Sequence, residues 1–152
     1  MATTVSKASL VVTVTEQITL NGTIYDQNTT KTITGVTGYD KSIFTLSSGV
    51  SHNVAEFVSL PSGDKHDVEN LRYLRVTNLD DTNNIVASFA GSSASAGLNM
   101  TAGSTAVLFD GKVSGIASKS PITTTANLDT VYLHNPHNSG VDIELVVASR
   151  NR

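Results

Sequence analysis

The clearest pattern in the chain is an alternation of apolar and polar residues near the N terminus. Apolar residues hold the even positions from Leu10 to Leu20, and only Glu16 interrupts that row. A period of two over eleven residues predicts a half-buried β-strand. Asn21 and Gly22 follow, and both tolerate positive φ, which predicts a tight hairpin. The returning segment would run over 23–34, and its polar middle, 26–32, is expected to loop out.

The rest of the chain predicts short strands separated by Gly, Asn and Asp turns. The most regular is the last, where Val141, Ile143, Leu145 and Val147 alternate with polar residues. The other predicted strands cover 42–46, 50–60, 71–79, 85–90, 98–101, 105–109, 113–116 and 130–134. Residues 67–70 suggest a single helical turn, and 118–127 a polar crossing loop. No segment shows the apolar period of 3.6 residues over the length that a helix needs.

These elements predict an all-β protein, an antiparallel β-sandwich of jelly-roll or Greek-key type with long polar loops. The length of 152 residues fits one domain. We expect a flexible N-terminal arm over 1–8 and a single sandwich domain over 9–149. Alternation assigns nine residues to the core: Val12, Val14, Leu74, Val76, Phe89, Leu108, Leu133, Ile143 and Leu145.

Composition removes several function classes. The chain has no cysteine, which excludes disulfides, thiolate metal sites and cysteine nucleophiles. Charged residues make up 15% and the net charge is −3, so no basic surface for nucleic acid or for an anionic membrane is expected. No apolar run reaches the length of a membrane helix, and no signal peptide is recognisable. We expect the protein to stay in the cytoplasm where it is made, unless assembly carries it out.

Two clusters resemble metal sites. His134 and His137 are three residues apart in a turn, and Asp129 or Asp142 would have to complete their ligand set. Two solvated histidines beside Pro136 are the simpler interpretation.

Asp80, Asp81, Asn83 and Asn84 offer oxygen ligands within five residues, but the glycine and the later bidentate carboxylate of a calcium loop are missing. A hairpin turn whose side chains bond their own backbone is favoured instead. We therefore predict no metal site and no cofactor.

Catalytic motifs are equally weak. Ser62 and Lys65 match the Ser-x-x-Lys pattern by letter, but Pro61 places the serine in a loop and not at a helix start. No other nucleophile–base pair stands out, so we predict no catalytic residue and no enzyme. Glu16 is unusual as a charge in the apolar row of the first strand. It would either discourage edge pairing or form a buried interface pair with Arg72 or Arg75.

The second half of the chain carries a succession of motifs: Leu71 to Asp80 (LRYLRVTNLD), Leu98 to Ser104 (LNMTAGS), Ala106 to Phe109 (AVLF), Leu128 to Asn135 (LDTVYLHN) and Val141 to Ala148 (VDIELVVA). This succession resembles the small β-sandwich structural proteins of tailed-phage virions. The resemblance covers about half the chain, and it transfers no functional residue.

The resemblance implies a virion structural protein, with a capsid cement or decoration protein first among the candidates. Such a protein would be made in the host cytoplasm. It would bind other copies of itself, with a trimer as the first expectation, and other virion proteins such as the major capsid protein. The N-terminal residues 1–8 would grip a neighbour. Two alternatives stay open. One is a neck, tail or fibre-associated virion protein. The other is a carbohydrate-binding or adhesive module that uses Tyr25, Tyr39 or Tyr132.

Overall fold

The computed structural model describes residues 6–56, 71–90, 95–109, 114–116, 125–127 and 130–150. These residues form twelve β-strands and no helix, which confirms the all-β prediction. The strands are β1 (Ala8–Leu20), β2 (Thr23–Val36), β3 (Gly38–Leu46), β4 (Ser51–Glu56), β5 (Leu71–Asn78), β6 (Ile85–Ala90), β7 (Ser95–Met100), β8 (Thr105–Phe109), β9 (Ser114–Ile116), β10 (Thr125–Asn127), β11 (Thr130–His134) and β12 (Val141–Ser149).

Eight of these strands form two four-stranded antiparallel sheets, in the orders β3–β12–β5–β8 and β4–β11–β6–β7. The pairing is nested, because the first strand of the eight pairs with the last, the second with the seventh, the third with the sixth and the fourth with the fifth. A long antiparallel ribbon wound into two facing sheets produces this order, which is the arrangement of a jelly roll.

The core lies between the two sheets and follows the strand alternation. Leu74, Val76, Ile143 and Leu145 enter it from one sheet and Leu133 from the other, as predicted. Phe89 is partly buried and packs against this cluster. The side chain of Leu108 lies outside the described set. Burial of these apolar side chains supplies the main driving force for the sandwich.

A second, smaller core lies on the outer face of the β3–β12–β5–β8 sheet. Near its end, β12 is buried on both faces, and Val146 and Ala148 point away from the sandwich. Ile33 and Val36 of β2 cover them, and Tyr73 of β5 completes the cluster. The base of the β1–β2 hairpin therefore packs on the back of the sandwich.

Most of the β1–β2 hairpin extends beyond this contact. Every residue from 13 to 32 is exposed, on both faces of the ribbon. We call these residues the arm. At 3.4 Å per residue the arm is roughly 27 Å long. Val12 is half-buried at the base of the hairpin, but the assignment of Val14 to the core is wrong, because its side chain lies on the arm and is 40% exposed.

The turn at the tip of the arm sets the register of the whole ribbon. Asn21 and Gly22 have φ values of 51° and 79°, as the type I′ turn of a two-residue hairpin requires, so the predicted hairpin is present. Pairing then continues without a break from Leu20–Thr23 to Ser9–Thr34. The expected loop at 26–32 is absent, because those residues pair with the opposite strand.

The predicted crossing loop over 118–127 needs a similar correction. Residues 125–127 form β10, which pairs with β9 in a small two-stranded sheet. The predicted helical turn at 67–70 and most of the predicted arm over 1–8 lie outside the described residues. Ser6 and Lys7 are exposed and irregular, and β1 begins at Ala8.

Candidate functional site

The two histidines considered as metal ligands bond to different neighbours. His134 ends β11, and its Nδ1 atom lies 3.1 Å from the hydroxyl oxygen of Ser51 on β4. His137 lies beyond the following proline, and its Nε2 atom is 2.9 Å from Oδ1 of Asn84. Each imidazole therefore has its own hydrogen bond, His134 between paired strands and His137 between two loops.

Of the two carboxylates considered as further ligands, Asp142 does not join these histidines. Asp142 accepts a hydrogen bond of 2.6 Å from the Thr45 hydroxyl on the neighbouring strand. Asp129 lies outside the described residues, as do Ser62 and Lys65 of the discounted catalytic motif. Within the described ranges, no three His, Asp or Glu side chains group in a way that would hold a metal ion.

The 80–84 segment forms the predicted turn of self-bonding side chains. Oδ1 of Asp80 accepts hydrogen bonds from the backbone N–H groups of Thr82 and Asn83, at 2.8 and 2.7 Å. These bonds lower the pKa of Asp80 from 3.8 to about 2, with the Asn83 N–H as the largest cause. The Asp80 carboxylate therefore stabilises the turn by accepting hydrogen bonds from backbone N–H groups.

A buried asparagine supports this turn from inside, and the sequence patterns did not single it out. The Asn78 side chain donates to the carbonyl oxygens of Asn83 at 2.8 Å and Thr101 at 3.2 Å, and its Oδ1 accepts from the Asp80 N–H. The available signal was the Asn-x-Asp spacing directly after a strand, which is typical of a side-chain-capped turn.

Asn135 does the same for the turn after β11. It is fully buried, and its amide donates to the carbonyl oxygens of Leu46 at 3.0 Å and Ser139 at 2.7 Å. Both asparagines therefore supply hydrogen bonds to backbone carbonyl oxygens where strands end. Because these bonds satisfy their buried amides, we assign both residues a structural role.

The exposed arm makes no contribution to the core of the sandwich, and its two faces differ in polarity. Residues that pair directly across the ribbon share a face, so one face carries Val14, Glu16, Ile18 and Leu20 of β1 and, beside them on β2, Thr23, Tyr25, Gln27, Thr29 and Lys31. Ile18, Leu20 and Tyr25 are each more than half exposed. The opposite face is mainly Thr, Asn and Gln, with Val11 and Ile24 at its two ends. Isolated two-stranded ribbons are at best marginally stable in water, and contiguous exposed apolar groups mark interaction surfaces.

A charged cluster lies on the outer face of the β3–β12–β5–β8 sheet, beside the base of the arm. Nζ of Lys41 lies 2.7 Å from one oxygen of Glu144, and Arg75 bonds the other oxygen. The hydrogen bond from Lys41 is the main reason that the pKa of Glu144 is below its usual value. Ile43 on β3 and Val107 on β8 are exposed on either side of the cluster.

Within the described residues of one subunit Glu16 does not pair with Arg75, and the hypothesis of a buried interface pair with Arg72 or Arg75 stays a prediction. Glu16 is exposed on the arm, and the guanidinium of Arg75 bonds Glu144 instead. The position of Glu16 in the apolar row is nonetheless real, because it lies on the same face of the arm as Val14 and Ile18.

The exposed tyrosines lie on separate surfaces. Tyr25 is on the arm, Tyr39 is on the outer face of one sheet, and Tyr132 is on the outer face of the other. Tyr73 is buried beneath the base of the β1–β2 hairpin. The described tyrosines therefore do not form a common aromatic platform of the kind that sugar-binding sites use.

No helix among the described residues is long and apolar enough to cross a membrane. Comparison of the chain with protein families, with curated proteins and with solved structures finds no match.

Proposed function

We propose that the protein is a structural component of a tailed-phage virion, and that it acts as a cement or decoration protein on the capsid surface. In this role it stabilises the shell by contacts between its own copies and with the major capsid protein. It works as a homo-oligomer, with a trimer as the first expectation, and it performs no catalysis.

The observation that carries this proposal is the arm. The jelly-roll sandwich buries its own core, yet twenty exposed residues extend beyond it, and no described part of the chain covers the apolar side chains on one face of this arm. Jelly rolls are a common architecture of viral capsid proteins. Subunits in symmetric shells are commonly joined through exposed strands and complementary surfaces. The charged fraction of 15% and the net charge of −3 agree with a partner that is protein and not nucleic acid.

Quantitative mass spectrometry of purified virions tests this function. Tailed-phage particles from the source of the gene are banded on a density gradient, and peptides of this chain are counted relative to the major capsid protein. A decoration protein is expected in a stoichiometric ratio to the capsid protein. A ratio lower by one to two orders of magnitude would favour the neck, tail or fibre alternative. Absence from banded particles would refute a virion role.

A further inference from the structure

The face of the β1–β2 hairpin that packs on the sandwich at the base of the hairpin continues along the exposed arm. We call the exposed part of this face the stripe. Leu10, Val12 and Ile33 lie against the sheet, and the same face then carries the exposed residues Val14, Glu16, Ile18, Leu20 and Tyr25. Glu16 is the only carboxylate on this stripe and stands between two apolar side chains of its own strand. A surface that covers the stripe would remove water from Glu16, so it must offer a cation in return.

The sheet that receives the base of the arm offers such cations on its remaining outer surface. Lys41 and Arg75 share one carboxylate, Glu144, so this cluster carries two positive charges and one negative. Lys41 retains about half of its exposure. Asp142, the next outward residue of β12, is engaged by the Thr45 hydroxyl.

Apolar side chains flank the cluster at a spacing that matches the stripe. Ile43 is 62% exposed and Val107 is 38% exposed, and they lie on the two edge strands of the sheet. They are separated by three strand spacings across the sheet and by two residues along the strands, which places them roughly 16 Å apart. Val14 and Ile18 are four residues apart along a strand, or roughly 14 Å. An arm laid across the strands thus sets its acid over the cations and its two apolar groups near the two edges.

We propose that the arm of each subunit lies across the outer face of the β3–β12–β5–β8 sheet of a second copy of the chain. Glu16 pairs with Lys41 and Arg75 of that copy. Val14 and Ile18 cover Ile43 and Val107. The inference rests on the proposed function in one respect, namely that the protein works as a homo-oligomer.

The area of contact favours a second copy over a one-sided partner. The arm is roughly 27 Å long and roughly 10 Å wide, so one face covers roughly 270 Å². A single arm–sheet contact then buries roughly 540 Å² in total, which is in the range of crystal packing. In a closed dimer the two reciprocal arm–sheet contacts form one interface of roughly 1,100 Å², which is enough for specific association, and in a closed trimer each subunit takes part in two contacts of roughly 540 Å² each.

Sedimentation velocity of the full-length protein between about 1 and 100 μM tests the contact. The wild-type chain is expected to form a closed dimer or trimer in this range. Glu16→Lys places a cation against the Lys41–Arg75 cluster and should raise the dissociation constant at least ~10-fold. Asp26→Lys makes the same charge change on the opposite face of the arm, so it should alter that constant less than ~3-fold.

Charge exchange identifies the surface that the arm contacts. Lys41→Glu alone should also weaken association, and Glu16→Lys combined with Lys41→Glu should recover most of the wild-type affinity. Circular dichroism melting confirms that each variant is folded. A folded monomer at 100 μM would overturn the inference, and so would an oligomer that responds equally to Glu16→Lys and Asp26→Lys. Either result is independent of whether the protein is found in virions, which decides the proposed function.

Discussion

At the scale of single residues, alternation along a strand does not decide what covers the apolar face. Val14 and Ile143 both stand in alternating rows, yet Ile143 is fully buried between the sheets and Val14 is exposed on the arm. The pattern shows that one face prefers an apolar neighbour. Only the pairing of distant strands decides whether that neighbour belongs to the same sandwich.

This difference predicts opposite outcomes for one substitution at two sites. Ile143→Asp buries an unpaired charge and should lower the free energy of unfolding by ~4 kcal/mol or more, enough to prevent stable folding. Val14→Asp changes only an exposed arm position and should leave the sandwich within ~0.5 kcal/mol of wild type. Urea denaturation followed by circular dichroism measures both, at a protein concentration where the wild type and both variants are monomeric. Equal destabilisation would mean that Val14 belongs to the core.

Asn78 illustrates a buried polar residue that is held entirely by its partners. Asn78→Ala removes the donor to the carbonyl oxygens of Asn83, Met100 and Thr101, and should lower the free energy of unfolding by about 1–3 kcal/mol. Asn138→Ala, at an exposed position of another turn, is the matched control and should stay within ~0.5 kcal/mol. Similar urea midpoints for the two variants would contradict the supporting role of Asn78.

Asp80 predicts a specific dependence of stability on pH. Its pKa is about 2 in the folded chain and 3.8 as the reference value, so the ionised form is favoured by folding. The resulting stability is complete above pH 4 and is lost as the pH falls through about 2. Asp80→Asn should flatten the fall in melting temperature over this window. Asp81→Asn, the same change of charge at an exposed neighbour, should not, and identical profiles for the two would refute the assignment.

At the scale of elements, the strands of the sandwich could be predicted because their burial is local and regular. β5, β6, β11 and β12 were located within two residues of their observed ends. The polar middle of β2 was missed because its pairing depends on the turn at Asn21 and on β1, and not on its own composition. β10 was missed because three residues carry no recognisable period. The outer cluster of Lys41, Arg75 and Glu144 joins three separate strands, which no local pattern can show.

A shortened arm tests whether the hairpin is an appendage of the sandwich. Deletion of Thr13–Leu20 and Thr23–Thr30 joins the Val12–Lys31 pair directly to the Asn21–Gly22 turn. The deletion removes an even number of residues from each strand, so the hydrogen-bonding phase at the turn is kept. Because the removed residues are exposed on both faces, the melting temperature of the isolated monomer should change by less than about 3 °C. Loss of cooperative melting would show that the arm contributes to the core.

At the scale of the whole molecule, some of the apolar strand faces are buried within the chain and others are exposed to solvent. The jelly roll buries one set of strand faces in its own core, and the base of the hairpin covers one end of an outer face. The arm and the rest of that outer face carry several of the large apolar groups that remain exposed, together with the charged cluster. Exposed apolar side chains beside a folded core are what the proposed assembly role requires of this surface.

Association of this kind couples stability to concentration. Because only folded subunits present both the arm and the receiving sheet, binding stabilises the native state by mass action. A tenfold rise in protein concentration should then add up to about 1.4 kcal/mol. For a chain of this size that raises the melting temperature by up to about 3–6 °C. Differential scanning calorimetry at about 10 and 100 μM measures the shift, and the shortened-arm variant should show none. A wild-type melting temperature that does not depend on concentration, while the protein is oligomeric by sedimentation, would mean that the subunits associate without stabilising one another's fold.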